Sequence, residues 1–126
     1  MTTISYDRSD NVLATTHDIN EMRREIEELP IQCSDGKKFD FDLFSRERIE
    51  EAVVSWPPLL TDRSWKMADN TYLTVTAVSL AAYLTELKEK REDRTLALFP
   101  EMEALKSDPT TTLRDLQNWK IPYLVL

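Results

Sequence analysis

The sequence predicts an α+β domain in which antiparallel β-hairpins, with about four to six short strands, pack against three to four helices. Three observations predict this class. Turn signals separate short alternating runs, helical apolar stripes follow those runs, and 126 residues suffice for one hydrophobic core. We expect residues 1–126 to form a single domain, within which residues 1–33 make a looser hairpin–helix unit.

The first unit begins with two short runs, Ile4–Tyr6 and Val12–Ala14, that predict a hairpin. A helix follows it, with Thr16 or Asp18 as the N-cap and Pro30 as the stop. The inward apolar stripe of this helix consists of Ile19, Met22, Ile26 and Leu29.

Two further hairpins are predicted by the turn signals Asp35-Gly36 and Asp69-Asn70, since these residue types accept the positive φ of tight hairpin turns. Apolar and polar residues alternate after each turn, as expected for strands with one buried face. The strand that contains Trp65 is expected to pack under the third helix. The similarity of the two segments makes a repeat one interpretation and chance agreement another.

Each of these hairpins leads into a helix. Ser45 or a neighbouring residue caps the predicted helix Arg46–Trp56, which Pro57-Pro58 stops. Thr76 caps the next helix. The inward stripe of that helix consists of Leu80, Ala81, Leu84 and Leu87.

The third helix is unusual because Lys88–Thr95 is entirely polar, after which apolar spacing resumes. The resumed stripe consists of Leu98, Phe99, Met102 and Leu105. Pro100 either kinks one long C-terminal helix or lies in the first turn of a new helix. The stripe either folds back as a helical hairpin or docks on another chain.

The C-terminal region contains a predicted short helix, Thr110–Asn118, and then the apolar segment Trp119–Leu126. Chain ends are normally polar, so this segment is either an edge strand or a tail that a partner covers. We therefore predict a partner-binding surface at the C-terminal end. Its residues are Leu98, Phe99, Met102, Leu105, Trp119, Tyr123 and Leu124.

Composition excludes several classes of function. Cys33, His17 and Gly36 are the single residues of their types, so no zinc cluster and no glycine-rich phosphate loop can form. The net charge of −7 disfavours nucleic acid and anionic membranes as partners. Asp40 and Asp42 are interpreted as a solvated strand face. We find no catalytic constellation, and we expect no enzyme activity, cofactor or metal.

Residues 34–119 resemble a known family in several places. The segments Ser34–Ala52 and Ser64–Thr76, the latter with Trp65 before Asp69-Asn70, are similar to its most recognisable motifs. Arg91, Arg94, Leu105-Lys106 and Thr110–Trp119 resemble its C-terminal part, whereas Pro57-Pro58 and Pro100 depart from its smoother helices. The family comprises small proteins encoded beside tailed-phage fibre genes, usually labelled tail-fibre assembly proteins or tail proteins.

The resemblance implies a non-enzymatic role in bacteriophage tail assembly or structure. We expect the partner to be a tail-fibre or baseplate protein, with the chain acting as a virion component or as a fibre assembly chaperone. Its location would be the virion tail, or the host cytoplasm during assembly, and a homo-oligomer is compatible with either role. The alternative is an acidic phage inhibitor that presents Glu21, Glu25, Glu27 and Glu28 to a basic host protein.

Overall fold

A computed structural model describes residues 12–124 and confirms the α+β class. In the described residues, two antiparallel two-stranded sheets accompany four α-helices and a final 3₁₀ turn, Ile121–Tyr123. The helices are α1 (Thr16–Glu27), α2 (Leu43–Val54), α3 (Ala77–Ser107) and α4 (Leu113–Lys120). The strands are β1 (Ile31–Gln32), β2 (Lys38–Phe39), β3 (Arg63–Lys66) and β4 (Tyr72–Val75). The predicted strand Ile4–Tyr6 lies outside the described residues.

The described chain divides into two compact units. We call residues 12–26 and 96–124 the terminal unit, and residues 27–95 the central unit. The central unit contains both sheets, α2 and the N-terminal part of α3. The terminal unit contains most of α1, the C-terminal part of α3, and α4.

The two predicted hairpin turns are confirmed in the central unit. β1 pairs with β2 across Gly36, whose φ is +88°, and β3 pairs with β4 across Asn70, whose φ is 67°. The aspartate before each turn accepts a hydrogen bond from a backbone N–H two residues later, at 3.0 Å for Asp35 and 3.1 Å for Asp69. Local side-chain chemistry therefore determines both turns.

The core of the central unit contains three of the four predicted inward residues of α3, whereas Ala81 is half-buried and lies outside the cluster. Trp65 lies in the same cluster, as the pattern of its strand predicts. The buried residues are Ile31, Cys33, Phe39, Phe41, Ile49, Ala52, Trp65, Met67, Val75, Leu80, Leu84 and Leu87. Val53, Trp56, Leu73 and Tyr83 pack against them partly exposed.

Two of the three predicted N-caps differ in the structure. The backbone N–H of Asp18 donates to the Thr15 hydroxyl, and Asp18 accepts from the N–H of Thr15, so α1 begins one residue after Thr15. α2 begins at residue 43 because Asp42 accepts from the N–H of Ser45 at 2.8 Å. The prediction of a helix start at residue 46 was therefore wrong. Thr76 caps α3 as predicted, by accepting from the N–H of Ser79.

α3 is continuous through Pro100, so the alternative of a new helix that starts there was wrong. A bend at Pro100 stays a prediction. Within the polar stretch, Arg91 donates to the carbonyl of Glu27 at 2.6 Å, and Arg94 donates to the carbonyl of Leu29 at 2.8 Å. This stretch therefore binds backbone carbonyls at the last residue of α1 and just after it, which the sequence pattern did not predict.

The terminal unit has buried apolar side chains of its own: Ile19, Met22, Ile26, Leu98, Met102 and Leu116. Val12–Ala14 pairs with the segment before α4 through a bridge between Leu13 and Thr112. The N–H of Ala14 donates to the carbonyl of Thr111 at 2.8 Å. The N-terminal and C-terminal segments of this unit are thus hydrogen-bonded to each other.

Candidate partner-binding surface

Two of the seven predicted partner-binding residues lie inside the terminal unit. Leu98 has no exposed surface, and Met102 is 6% exposed. Their face of α3 already packs within this chain, so they are not available to a partner in this structure. The surface prediction is corrected to the other five residues. Leu98 and Met102 are buried within the terminal unit although α3 is continuous, so no helical hairpin forms at Pro100.

The remaining five residues retain accessible surface. Phe99 is 46% exposed and Leu124 is 41% exposed, whereas Leu105, Trp119 and Tyr123 are half-buried. We call these five residues the C-terminal surface. All five side chains keep accessible apolar atoms, and aromatic residues are enriched at protein interfaces.

Glu101 positions the two aromatic residues of the C-terminal surface. Its Oε1 accepts hydrogen bonds from Trp119 Nε1 at 2.9 Å and from the Tyr123 hydroxyl at 2.6 Å. Trp119 lies in the last turn of α4, which ends at Lys120, and residues 121–123 form the 3₁₀ turn. The edge-strand alternative for this segment was therefore wrong over residues 119–124.

A groove with a volume of about 580 Å³ lies between the C-terminal part of α3 and α4. Its lining residues are Glu101, Ala104, Leu105, Asp108, Thr111, Asp115, Asn118 and Trp119. Thr111 is buried beside this groove, and its hydroxyl donates a hydrogen bond to the carbonyl of Leu105 at 2.8 Å. Leu105 and Trp119 thus belong to a supported concave surface.

Three carboxylates surround this groove, and each has a local structural role. Asp115 forms a capping box with Thr112 at the start of α4. The Thr110 hydroxyl and the Thr110 backbone N–H both donate to Asp108, which lowers the pKa of Asp108 below its usual value. These acidic residues give the groove a negative formal charge, so it favours apolar ligands with a cationic group.

Glu101 is the positioning residue that sequence reasoning missed. A signal was present, because Glu101, Leu105 and Asp108 follow the four-plus-three spacing of one helix face. The apolar stripe of α3 does not include Glu101. The two aromatic partners of Glu101 lie 18 and 22 residues farther along the chain.

The acidic face of the alternative function is largely ion-paired within the chain. The pairs are Glu21–Arg24, Glu25–Lys120, Glu27–Arg91 and Glu28–Arg91. Glu27 and Glu28 are also half-buried. Paired carboxylates attract a basic protein less strongly than free ones.

The single cysteine is poorly suited to nucleophilic chemistry. Burial, with added effects from Glu86 and Asp35, raises the pKa of the Cys33 thiol to about 12. The thiolate is therefore scarce at neutral pH. Within residues 12–124, no group of three or more His, Cys, Asp or Glu side chains could hold a metal ion. None of the helices in that part of the chain is both long and apolar enough to cross a membrane.

Comparison with known proteins leaves the chain without an assigned relative. No family model matches it, and no curated protein or solved structure matches it significantly. The resemblance to the tailed-phage family is carried only by the residues quoted for it, and it stays a prediction.

Proposed function

We propose that this chain is a non-enzymatic bacteriophage tail protein that binds a tail-fibre or baseplate protein through the C-terminal surface. It would act as a virion component or as a fibre assembly chaperone, in the tail or in the host cytoplasm during assembly. The proposal includes a bend of α3 at Pro100, directly before Glu101, because proline removes a helix hydrogen bond.

One observation carries the proposal: Glu101 holds Trp119 and Tyr123 in fixed positions beside an apolar groove. Tryptophan and tyrosine dominate the energetics of many interfaces because they bury large areas. Side chains that are already held in place lose less conformational entropy when a partner binds. The groove is therefore suited to receive an apolar side chain of the partner.

The test is a pull-down of the fibre protein encoded beside this chain, with Leu105→Asp and Trp119→Ala as variants. We expect each variant to weaken binding about tenfold or more, as for interface anchors. Leu59→Asp is the matched control, since Leu59 is almost fully exposed in the central unit. Circular dichroism and thermal melting would establish that all three variants fold. Binding that survives both groove substitutions would remove this surface from consideration.

Mass spectrometry of purified virions distinguishes a virion component from a fibre assembly chaperone. A defined copy number in the particle identifies a virion component, whereas absence from the particle with retained fibre binding identifies a chaperone. Binding to a basic host protein that is lost steeply with salt, and that does not depend on Trp119, would favour the acidic inhibitor instead.

A further inference from the structure

A second surface lies in the central unit, where two arginines approach one tryptophan. The Cζ atoms of Arg48 and Arg63 lie 5.6 Å and 5.4 Å from the Trp65 ring centroid. Arg63 is also 5.7 Å from the ring centroid of Trp56. We call Arg48, Arg63 and Trp65 the arginine–tryptophan cluster.

Regular structure brings these three residues together. Arg63 and Trp65 are two apart in β3 and share one face of the strand, and Arg48 lies in α2. Trp65 is 8% exposed and belongs to the core, whereas both arginines are exposed. The ring is therefore held rigidly, and it restricts the two guanidinium groups above it.

Within the part of the chain that the structure describes, neither arginine of the cluster has an anionic partner. Over residues 12–124, the interactions of Arg48 and Arg63 are all with aromatic rings. By contrast, Arg24, Arg46 and Arg91 all form ion pairs with glutamate. Carboxylates of the chain lie nearby, but within residues 12–124 none of them forms an ion pair with Arg48 or Arg63.

Two cavities adjoin the cluster. One, of about 330 Å³, is lined by Arg48, Arg63 and Trp65 together with the Ser55 hydroxyl and the Glu51 carboxylate. The other, of about 210 Å³, shares Arg48 and Trp65 and adds Lys66 and Asp40. Three cationic groups thus line neighbouring cavities that contain two carboxylates.

We propose that the arginine–tryptophan cluster binds an acidic peptide segment of a partner protein. A guanidinium group binds a carboxylate with two parallel hydrogen bonds, and the buried Trp65 ring holds both guanidinium groups at one place on the surface. Three cations are enough for one or two carboxylates. A nucleic acid needs a longer basic track than three cations supply, so a short acidic segment fits this site better. This site is separate from the C-terminal surface, and it does not depend on the proposed function.

The test uses ¹⁵N-labelled protein and a blocked hexaglutamate peptide as the probe. The three tryptophan indole signals can be assigned with Trp56→Phe and Trp119→Phe, which leaves Trp65 intact. We expect the peptide to shift the Trp65 indole signal and the arginine Nε signals of Arg48 and Arg63. In the double variant Arg48→Gln, Arg63→Gln, the dissociation constant should rise at least tenfold.

The matched control is the double variant Lys37→Gln, Lys88→Gln, which removes the same charge from exposed positions outside both cavities. If the control variant weakens peptide binding as much as the arginine variant does, the proposal is overturned, because general charge attraction would explain the binding. No shift up to millimolar peptide would overturn it as well. Tighter binding of a twelve-residue oligothymidylate or of inorganic phosphate, or dimerisation that competes with the peptide, would assign the cluster to another occupant.

Discussion

At the scale of single residues, a hydrogen bond between Tyr83 and Asp35 links α3 to the first confirmed hairpin turn. The Tyr83 hydroxyl donates to Asp35, which lowers the pKa of Asp35 from its usual 3.8 and raises the pKa of Tyr83 to about 12. The Tyr83 ring also packs against Phe39, with centroids 4.9 Å apart. One side chain therefore connects the turn, β2 and α3.

Tyr83→Phe should raise the pKa of Asp35 toward 3.8, because the largest cause of the shift is the lost hydroxyl. A ¹³C-carboxyl NMR titration measures this change, with Asp69 as the control, since Thr71 is its partner. A carboxyl group whose pKa is lower in the folded state stabilises the fold at pH values above its pKa in the unfolded state. This stabilisation is lost as the pH falls through its pKa in the folded state. The stability difference between variant and wild type should therefore narrow below about pH 4. An unchanged pKa of Asp35 in the Tyr83→Phe variant would contradict this prediction.

At the scale of elements, two arginines of α3 donate hydrogen bonds to backbone carbonyls at the C-terminal end of α1. Arg94 donates to the carbonyls of Leu29 and Pro30, at 2.8 Å and 3.0 Å. Arg91 donates to the carbonyl of Glu27. The Glu27 carbonyl ends α1 and the other two carbonyls follow the helix, where no helical N–H group is available, so the arginines take the place of a C-cap.

Arg94→Gln should lower the free energy of unfolding by about 1–3 kcal/mol, because charged hydrogen bonds to part-buried carbonyls are lost. Chemical denaturation measures this change. Lys88→Gln, at an exposed position of the same helix, should change stability by less than about 0.5 kcal/mol. Equal effects of the two substitutions would show that the carbonyl contacts contribute nothing specific.

Pro100→Ala should stabilise the protein, because proline inside a helix lacks an N–H and is disfavoured by about 3 kcal/mol relative to alanine. The gain will be smaller if α3 bends to relieve the ring. Thermal melting should show a higher midpoint, and circular dichroism at 222 nm should not decrease. A lower melting temperature would mean that the native packing requires the proline.

At the scale of the whole molecule, acidity and exposed apolar side chains act in opposite directions. The net charge of −7 keeps copies apart at neutral pH, and the isoelectric point near 4.7 marks where this repulsion ends. Phe99, Ile121 and Leu124 stay exposed in the terminal unit. Association is thus expected when the charge is neutralised.

Dynamic light scattering from pH 7 to pH 4.7 should show a rising hydrodynamic radius. For the double variant Ile121→Asp, Leu124→Asp, the hydrodynamic radius should increase less than for the wild type at the same net charge, because less apolar surface is exposed. Val54→Asp, Leu59→Asp is the control at exposed positions of the central unit. If all three proteins behave alike, exposed apolar residues of the terminal unit do not drive association.

The sequence alone determined the features that depend on neighbouring residues. Gly36 and Asn70 adopt the positive φ that their hairpin turns need, and Asp35 and Asp69 support the turns through bonds that span two residues. The inward faces of the helices follow from apolar spacing, because a side chain's direction is set by its own backbone. These features required no knowledge of distant contacts.

Only the tertiary structure decided the candidate site. Arg94 bonds to a carbonyl 65 residues away, and Glu101 meets Trp119 and Tyr123 in a later helix and turn. Leu98 and Met102 match the apolar spacing of Leu105, yet the fold buries two of the three and leaves Leu105 beside the groove. Spacing reports which residues share a face, whereas burial depends on what the rest of the chain places against that face.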